Sequence, residues 1–215
     1  MSKDTNYKGL FMLTVIVVAA IAGYMASNQY FNGENNGNKL EFESLLVYPK
    51  QKTFSGFKLT DKNMLDVTIE SFSNKWTLLF FGFTHCPDVC PTTLSELQKV
   101  FNILQSKDIK TMPEVLFVSV DPERDNPQLL KEYISFFNPD FNAATGDAAN
   151  ILAITSQVGV AYHIGDHKKD EKNYSVDHTA AIFLVDPNKN LYGIFRSPHQ
   201  ADKIVNDLTQ LMGGK

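Results

Sequence analysis

Arginine is nearly absent from this 215-residue chain: Arg124 and Arg196 are the only two. An arginine-rich leader is therefore missing, which argues against a mitochondrial import sequence. No basic excess exists either. The net charge is −4, so a nucleic-acid footprint is not indicated. Charge of either sign is missing altogether from Gly9 to Gly33, and Leu10 to Ala26 are mostly apolar. A membrane span needs about 20 such residues. Lys3 and Lys8 precede the stretch, while Glu34, Glu41 and Glu43 follow it. The positive-inside rule then predicts a cytoplasmic N-terminus and a single-pass anchor, with the rest of the chain outside. Tyr7, Tyr24, Tyr30 and Phe31 suit the two interfaces. A cleaved signal peptide is the competing reading. It asks for a shorter apolar core and a small-x-small site, which is not cleanly placed here. Cysteine is equally scarce: Cys86 and Cys90 are the only two, so any thiol chemistry is confined to them.

What is present reads as one globular domain behind that anchor. Composition is ordinary for a globular protein, 43% hydrophobic and 20% charged. Asn32 to Lys39 is polar and glycine-rich, the composition of a linker. The expected division is 1–31 for the cytoplasmic tip and anchor, 32–39 for the linker and 40–215 for the soluble domain. Leu45 to Pro49 suggests a short strand leading into a proline turn. Phe57–Thr60 and Asp66–Ile69 suggest a hairpin about Asp61-Lys-Asn63. Trp76 to Phe83 and Glu114 to Val120 are apolar runs of buried strands. Between them, Leu94, Leu97, Phe101 and Leu104 follow a helical period. Asn126 and Pro127 open a second helix through Leu129, Leu130, Tyr133 and Phe136. Ala148 to Val158, ended by Gly159, is a third. Tyr162 to Tyr174 is a polar excursion, an exposed hairpin or loop. Ala180–Val185 and Leu191–Phe195 form a hairpin about Asp186-Pro-Asn-Lys-Asn190. A closing helix over 200–212 turns Ile204, Val205, Leu208 and Leu211 inward. Strand–helix–strand–helix, then a hairpin and a last helix, is the thioredoxin layout. The fold class is thus α/β, thioredoxin-like, with an N-terminal transmembrane helix.

The two thiols stand where the first of those strands feeds its helix. Pro91 suits the first turn, where its missing N–H costs nothing. Orphan N–H groups and the helix dipole at such a junction favour thiolates. In a helix, residues four apart have Cβ atoms roughly 5–6 Å from one another. A disulfide wants about 3.5–4.5 Å, whereas two metal–sulfur bonds of about 2.3 Å bridge a wider gap. The spacing favours reversible chelation or a labile disulfide over an inert staple. A peroxidatic thiol is the weaker reading in this sequence context.

Three motifs now carry a resemblance: Thr84-His-Cys-Pro-Asp-Val-Cys-Pro91, Asp121-Pro-Glu-Arg-Asp125 and Val176-Asp-His-Thr179. Together, in this order, they resemble the Sco (SenC) family, from about Phe42 to the C-terminus. That resemblance implies a membrane-anchored, thioredoxin-fold copper protein that helps metallate the copper centre of cytochrome c oxidase. It implies a metal site of Cys86, Cys90 and His178, with copper, Cu(I) or Cu(II), as the metal. The implied partners are the copper-centre subunit of the oxidase and other copper chaperones. The implied location is a bacterial inner membrane, with the soluble domain on the periplasmic face. Such a protein is an assembly factor rather than a turnover enzyme. An extracytoplasmic thiol–disulfide reductase using the pair Cys86 and Cys90 is the alternative.

Chemistry agrees with the implied metal, since thiolates select soft ions such as Cu(I) and imidazole also suits copper. Three ligands leave a position open for transfer. Redox members of the thioredoxin fold place a cis-proline in the loop that holds His178; here Thr179 follows and no proline is near. Asp177 is a candidate acceptor for the imidazole. Asp88 either caps the helix or raises the thiol pKa values by its charge. Asp121 and Arg124 read as turn formation and ion pairing. His85, His163, His167 and His199 read as surface residues, with His85 next to the thiols.

Overall fold

The computed structural model describes residues 5–32 and 40–213, apart from 108, 110, 169, 170 and 172. The chain divides into two compact units after Glu41. The first holds one helix, α1 (Thr5–Asn32). Within it, 20 residues from Gly9 to Asn28 average a hydropathy of 2.2, with none of that window buried. At 1.5 Å per residue such a stretch covers about 30 Å, the thickness of a bilayer's hydrocarbon core. By length and composition this helix is able to cross a membrane. Beyond Asn32, the linker expected at 32–39 lies outside the described residues.

The second unit is built on an eight-stranded mixed sheet. Its strands are β1 (Leu45–Thr53), β2 (Leu59–Asp61), β3 (Asp66–Val67), β4 (Thr77–Gly82), β5 (Glu114–Ser119), β6 (Asn142–Thr145), β9 (Ala181–Val185) and β10 (Asn190–Arg196). A separate two-stranded sheet pairs β7 (Tyr162–Ile164) with β8 (Val176–His178). The order in the large sheet is β1-β10-β9-β4-β5-β6-β2-β3. The centre, β4-β5-β6, is parallel, and β9 runs antiparallel to β4. Helices α2 (Val89–Ser106) and α3 (Pro127–Phe137) make the crossovers, followed by α4 (Ala148–Val158) and the closing α5 (Ala201–Met212).

The apolar run in β4 follows from this placement. A central strand covered on both faces has no solvent side, so it reads as continuous rather than alternating. Leu78 and Phe80 point into the core beneath α2, α3 and α5. Leu79 and Phe81 point into the other core, with Ile151, Ile154 and Val158 of α4. Leu94, Leu97 and Leu104 of α2 are fully buried. Each contributes on the order of 1.5–3 kcal/mol by leaving water. Asn126 caps α3, its side chain accepting from the Leu129 amide at 2.9 Å, with Pro127 in the first turn. Gly159 ends α4 in the left-handed conformation at φ 77°.

Three boundaries differ from the expectations. Pro49 does not end a strand; β1 continues to Thr53, with a register shift between Val47 and Lys52. Proline is tolerated there because β1 is an edge strand whose other side has no ladder to complete. The hairpin of β2 and β3 exists but is short, since Asp61 pulls the turn tight by accepting from the Asn63 and Leu65 amides. Phe136, named with Leu129, Leu130 and Tyr133 in the apolar period of α3, is 84% exposed, while Phe137 beside it is buried. The closing helix also hides a charge that no apolar period reveals. Asp207 is buried and accepts from the Glu43, Ser44 and Leu45 amides at 2.7–2.8 Å, tying the start of the domain to α5.

Candidate metal centre

At the C-terminal edge of β4 the chain leaves the sheet, turns through Phe83 to Asp88 and enters α2. The turn is held from below by one carboxylate. Asp125, buried just ahead of α3, accepts from the Thr84 amide at 2.9 Å, the Thr84 hydroxyl at 2.5 Å and the Ser119 hydroxyl at 2.5 Å. Cys86 therefore sits in an anchored loop and Cys90 in the first turn of α2. Both are free thiols; Cys90 is buried and Cys86 is partly exposed. The Cys90 amide, one of the orphan donors of the helix start, points at Cys86 Sγ over 3.4 Å.

Gly82 makes this packing possible. A Cβ there would stand 2.5 Å from Cys90 Sγ and 2.8 Å from a Phe117 ring carbon. The last position of β4 is open to the sulfur only because it carries no side chain. An isolated glycine inside an apolar strand is the available sequence signal for such a close approach.

His178 ends β8 and reaches the same point from the other side. Its Nε2 lies 3.2 Å from Cys90 Sγ. Phe80 and Phe83 stand edge-on to its ring, at centroid distances of 6.1 and 5.9 Å. Its Nδ1 faces the Thr179 carbonyl oxygen at 3.3 Å, so a backbone acceptor fills the role considered for Asp177, which is exposed. The donor atoms of Cys86, Cys90 and His178 all lie within 4.8 Å of one another. Among the described residues this is the one group of three such donors placed to hold an ion. Two sulfurs and an imidazole nitrogen make a soft donor set, the chemistry that suits copper better than magnesium or calcium.

The two thiols are unequal. The Cys90 thiol donates to Cys86, and with support from His178 and the Asp88 and Cys90 amides it holds the Cys86 pKa down to about 4 against the opposing effect of burial. The Cys90 thiol is pushed up, because it supplies that hydrogen bond and because it is buried. One proton is thus retained on the inner sulfur while the outer one is a thiolate. Asp88 is the N-cap residue by position, but its side chain makes no capping bond to the helix amides. Beside Cys86 opens a cleft of about 610 Å³, lined among others by Phe83, Pro87, Val89, Tyr174 and Val176.

Two histidines expected on the surface are elsewhere. The side chain of His167 is only 14% exposed and stacks on Tyr174 at 3.9 Å. Both ring nitrogens of His199 are buried. His85 and His163 are exposed, as expected. The cis peptide found among the described residues joins Ser197 to Pro198, after β10 and not in the His178 loop. Asp121 and Arg124 do pair, as expected, and both are buried. Their reach toward Tyr174 was not legible in the sequence, since the two lie 50 residues apart.

Fold and site together define a thioredoxin-like domain with a two-thiol, one-imidazole centre. The SCO1/SenC family model matches residues 48–213, and the chain belongs to that family. It is 37% identical over 139 residues to the SCO2-like protein of Rickettsia prowazekii, covering 65% of this chain and 67% of that one. Among solved structures it is similar to Bradyrhizobium japonicum ScoI with copper bound, at 36% identity and a TM-score of 0.65, over 74% of this chain and 99% of that one. It is also similar to apo Sco1 from Thermus thermophilus, at 34% identity and a TM-score of 0.70, over 81% of this chain and 99% of that one.

Proposed function

We propose that this chain carries copper on Cys86, Cys90 and His178 and serves in assembling the copper centre of cytochrome c oxidase. The copper is cargo. The observation that carries this reading is the 3.2 Å approach of His178 Nε2 to Cys90 Sγ, with three donors inside 4.8 Å. Dithiol exchange needs two sulfurs and no third ligand, whereas a soft ion is held better by three donors. The copper-bound relative from Bradyrhizobium japonicum supports the same reading. Helix α1 is the anchor in this proposal, and the lysines before it and glutamates after it support an extracytoplasmic domain.

A second reading has its own support. A part-exposed thiolate beside a buried, protonated thiol is also the arrangement of a dithiol reductase. In that reading the domain reduces a partner's cysteines rather than loading them.

Copper titration of the full chain in detergent, wild type against His178→Ala, separates the two. Two thiolates still hold Cu(I) in the variant, but more weakly. Cu(II) binding suffers most, because imidazole suits the harder ion. The expected loss exceeds the roughly 10–100-fold typical of residues that only support a ligand. Equal affinity of the two proteins for both copper states removes His178 from the site and leaves the reductase.

A further inference from the structure

Among the described residues, the hairpin that carries His178 belongs to no larger sheet: strands β7 and β8 pair with each other. A lone two-stranded hairpin is marginal in water, so the distance from His178 to the thiols is set by whatever clamps the hairpin to the domain. At its base the hairpin's own ladder is extended by Thr179, whose amide donates to the Ala161 carbonyl at 3.0 Å, and Val176 of β8 is buried in the core beside Phe83. At the other end of β8 stands Tyr174. Its hydroxyl donates to Asp121 Oδ1 at 2.6 Å, and its carbonyl oxygen accepts from Arg124 at 3.0 Å. The Arg124 guanidinium lies over its ring at 3.7 Å and the His167 ring stacks on it at 3.9 Å. Two groups so close to one ring centroid occupy opposite faces, so the ring is sandwiched.

The same five-residue segment reaches the thiol loop. Asp125 holds Thr84, two residues ahead of Cys86, and the Ser119 hydroxyl joins Asp125 to the Asp121 amide. Asp121 to Asp125 therefore grips both halves of the centre: the cysteine loop through Asp125, and the histidine hairpin through Asp121 and Arg124. Tyr174, four residues before His178, takes the Asp121 and Arg124 contacts, while Glu123 of the same segment meets His167 Nε2 at 2.9 Å.

We propose that Tyr174 is a positioning residue for His178: clamped by Asp121 and Arg124, it fixes the hairpin so that the imidazole stays on the thiols. The consequence for copper rests on the copper-carrying reading above; the positioning itself does not. Removing the ring takes away the Asp121 bond and both stacked groups at one end of β8, leaving there the Arg124 bond to the residue 174 carbonyl and, at the other end, the Thr179 rung. The imidazole then leaves the thiols for part of the time, and the chain behaves as a two-thiolate site.

The test uses the full chain in micelles, with Tyr174→Ala and with Tyr174→Leu, which fills the space without a hydroxyl or an aromatic face and serves if the alanine variant does not fold. In the metal-free protein, NMR cross-peaks from the His178 ring to the Phe80 and Phe83 rings are expected in the wild type and lost in the variants, with the core cross-peaks kept. With Cu(II), the nitrogen signature of imidazole in the electron paramagnetic resonance spectrum should fade and affinity should fall by about 10–100-fold. In a His178→Ala background the same substitution should cost nothing further, because its effect runs through the imidazole. Retained ring cross-peaks overturn the proposal, and so does a copper loss of equal size in both backgrounds. Wild-type affinity that His178→Ala leaves unchanged overturns the copper-carrying reading instead, and the metal-free cross-peaks still decide on Tyr174.

Discussion

Gly82→Ala adds one methyl group at the most crowded point of the centre. The new Cβ would sit 2.5 Å from Cys90 Sγ, where ordinary contact begins at 3.4 Å. The sulfur has to retreat by about 1 Å, or β4 has to shift by as much. On the other flank the methyl meets the Phe117 ring at 2.8 Å, so there is no free side to move toward. The backbone at Gly82 is ordinary strand, so alanine brings no torsional penalty and recovers about 0.5–1 kcal/mol of chain entropy. Overpacking of this kind costs typically 1–3 kcal/mol. The net expectation is a loss of about 0.5–2 kcal/mol, or a melting temperature lower by roughly 1–8 °C at about 2–4 °C per kcal/mol. The effect on the centre should be larger than on the fold. His178 Nε2 lies 3.2 Å from the displaced sulfur, so copper affinity should drop at least tenfold, about 1.4 kcal/mol. Thermal unfolding of the metal-free chain and competition with a Cu(I) chelator read the two quantities. In a Cys90→Ala background the methyl loses its closest obstacle, and its cost to stability should shrink by about 0.5 kcal/mol or more. An alanine variant with unchanged melting temperature and unchanged affinity refutes the packing argument, because a sulfur that moves 1 Å without consequence is not held.

Two further expectations follow from the charge state of the pair and from α1. The Cys86 pKa is held at about 4, below the ordinary thiol value of 9.0, so its alkylation rate should stay flat from neutral pH down to about 5 and fall only as pH passes through about 4. The stability this thiolate contributes is present in full above the ordinary thiol pKa and is lost as pH falls toward the folded value. Cys90→Ala removes the main donor and should move the Cys86 midpoint back toward neutral pH or above; a wild-type midpoint already in the ordinary thiol range contradicts the geometry. For the anchor, protein recovered from membranes should retain the stretch from Gly9 to Asn28. N-terminal sequencing that begins near Ser27 identifies a cleaved signal peptide instead.

Much of the domain was legible because its signals are local. The strands of the central sheet announce themselves as apolar runs, since a strand covered on both faces has no polar positions to lose. Asn126-Pro127 and Gly159 mark helix ends by backbone chemistry that needs no partner. Cys86, Cys90 and His178 were legible as candidates through motif resemblance, and the fold brings their donor atoms together. What stayed hidden depends on residues far apart in sequence. Asp207 is a carboxylate on the inward side of an amphipathic helix, and only the arrival of three amides some 160 residues away gives it a reason. Pro49 looks like a strand stop until β1 is known to be the sheet's edge. His167 looks like one more polar residue in a polar excursion until Tyr174 offers it a ring to cover.

The two readings of the site differ in which sulfur has to move. On the copper-carrying reading, the outer sulfur alone faces the 610 Å³ cleft, while Cys90 and His178 lie against Phe80, Phe83 and Phe117. An incoming donor from a partner meets Cys86 first. Ligand exchange on that reading would start at the thiolate and finish at buried Cys90 and half-buried His178, with three protein donors leaving room for the incoming one. Dithiol reduction also begins at Cys86, which attacks as thiolate, but it then requires Cys90 Sγ to lose its proton and close on the outer sulfur. That step asks the inner sulfur, held 3.2 Å from His178 Nε2 in the space that Gly82 leaves open, to give up its place or the outer sulfur to come to it. The packing around Cys90 thus favours a sulfur that stays where it is, and a sulfur that stays is a ligand before it is a resolving thiol. This is why Gly82 bears on the copper-carrying reading as His178 does: crowding the inner sulfur displaces a ligand from its place beside the imidazole.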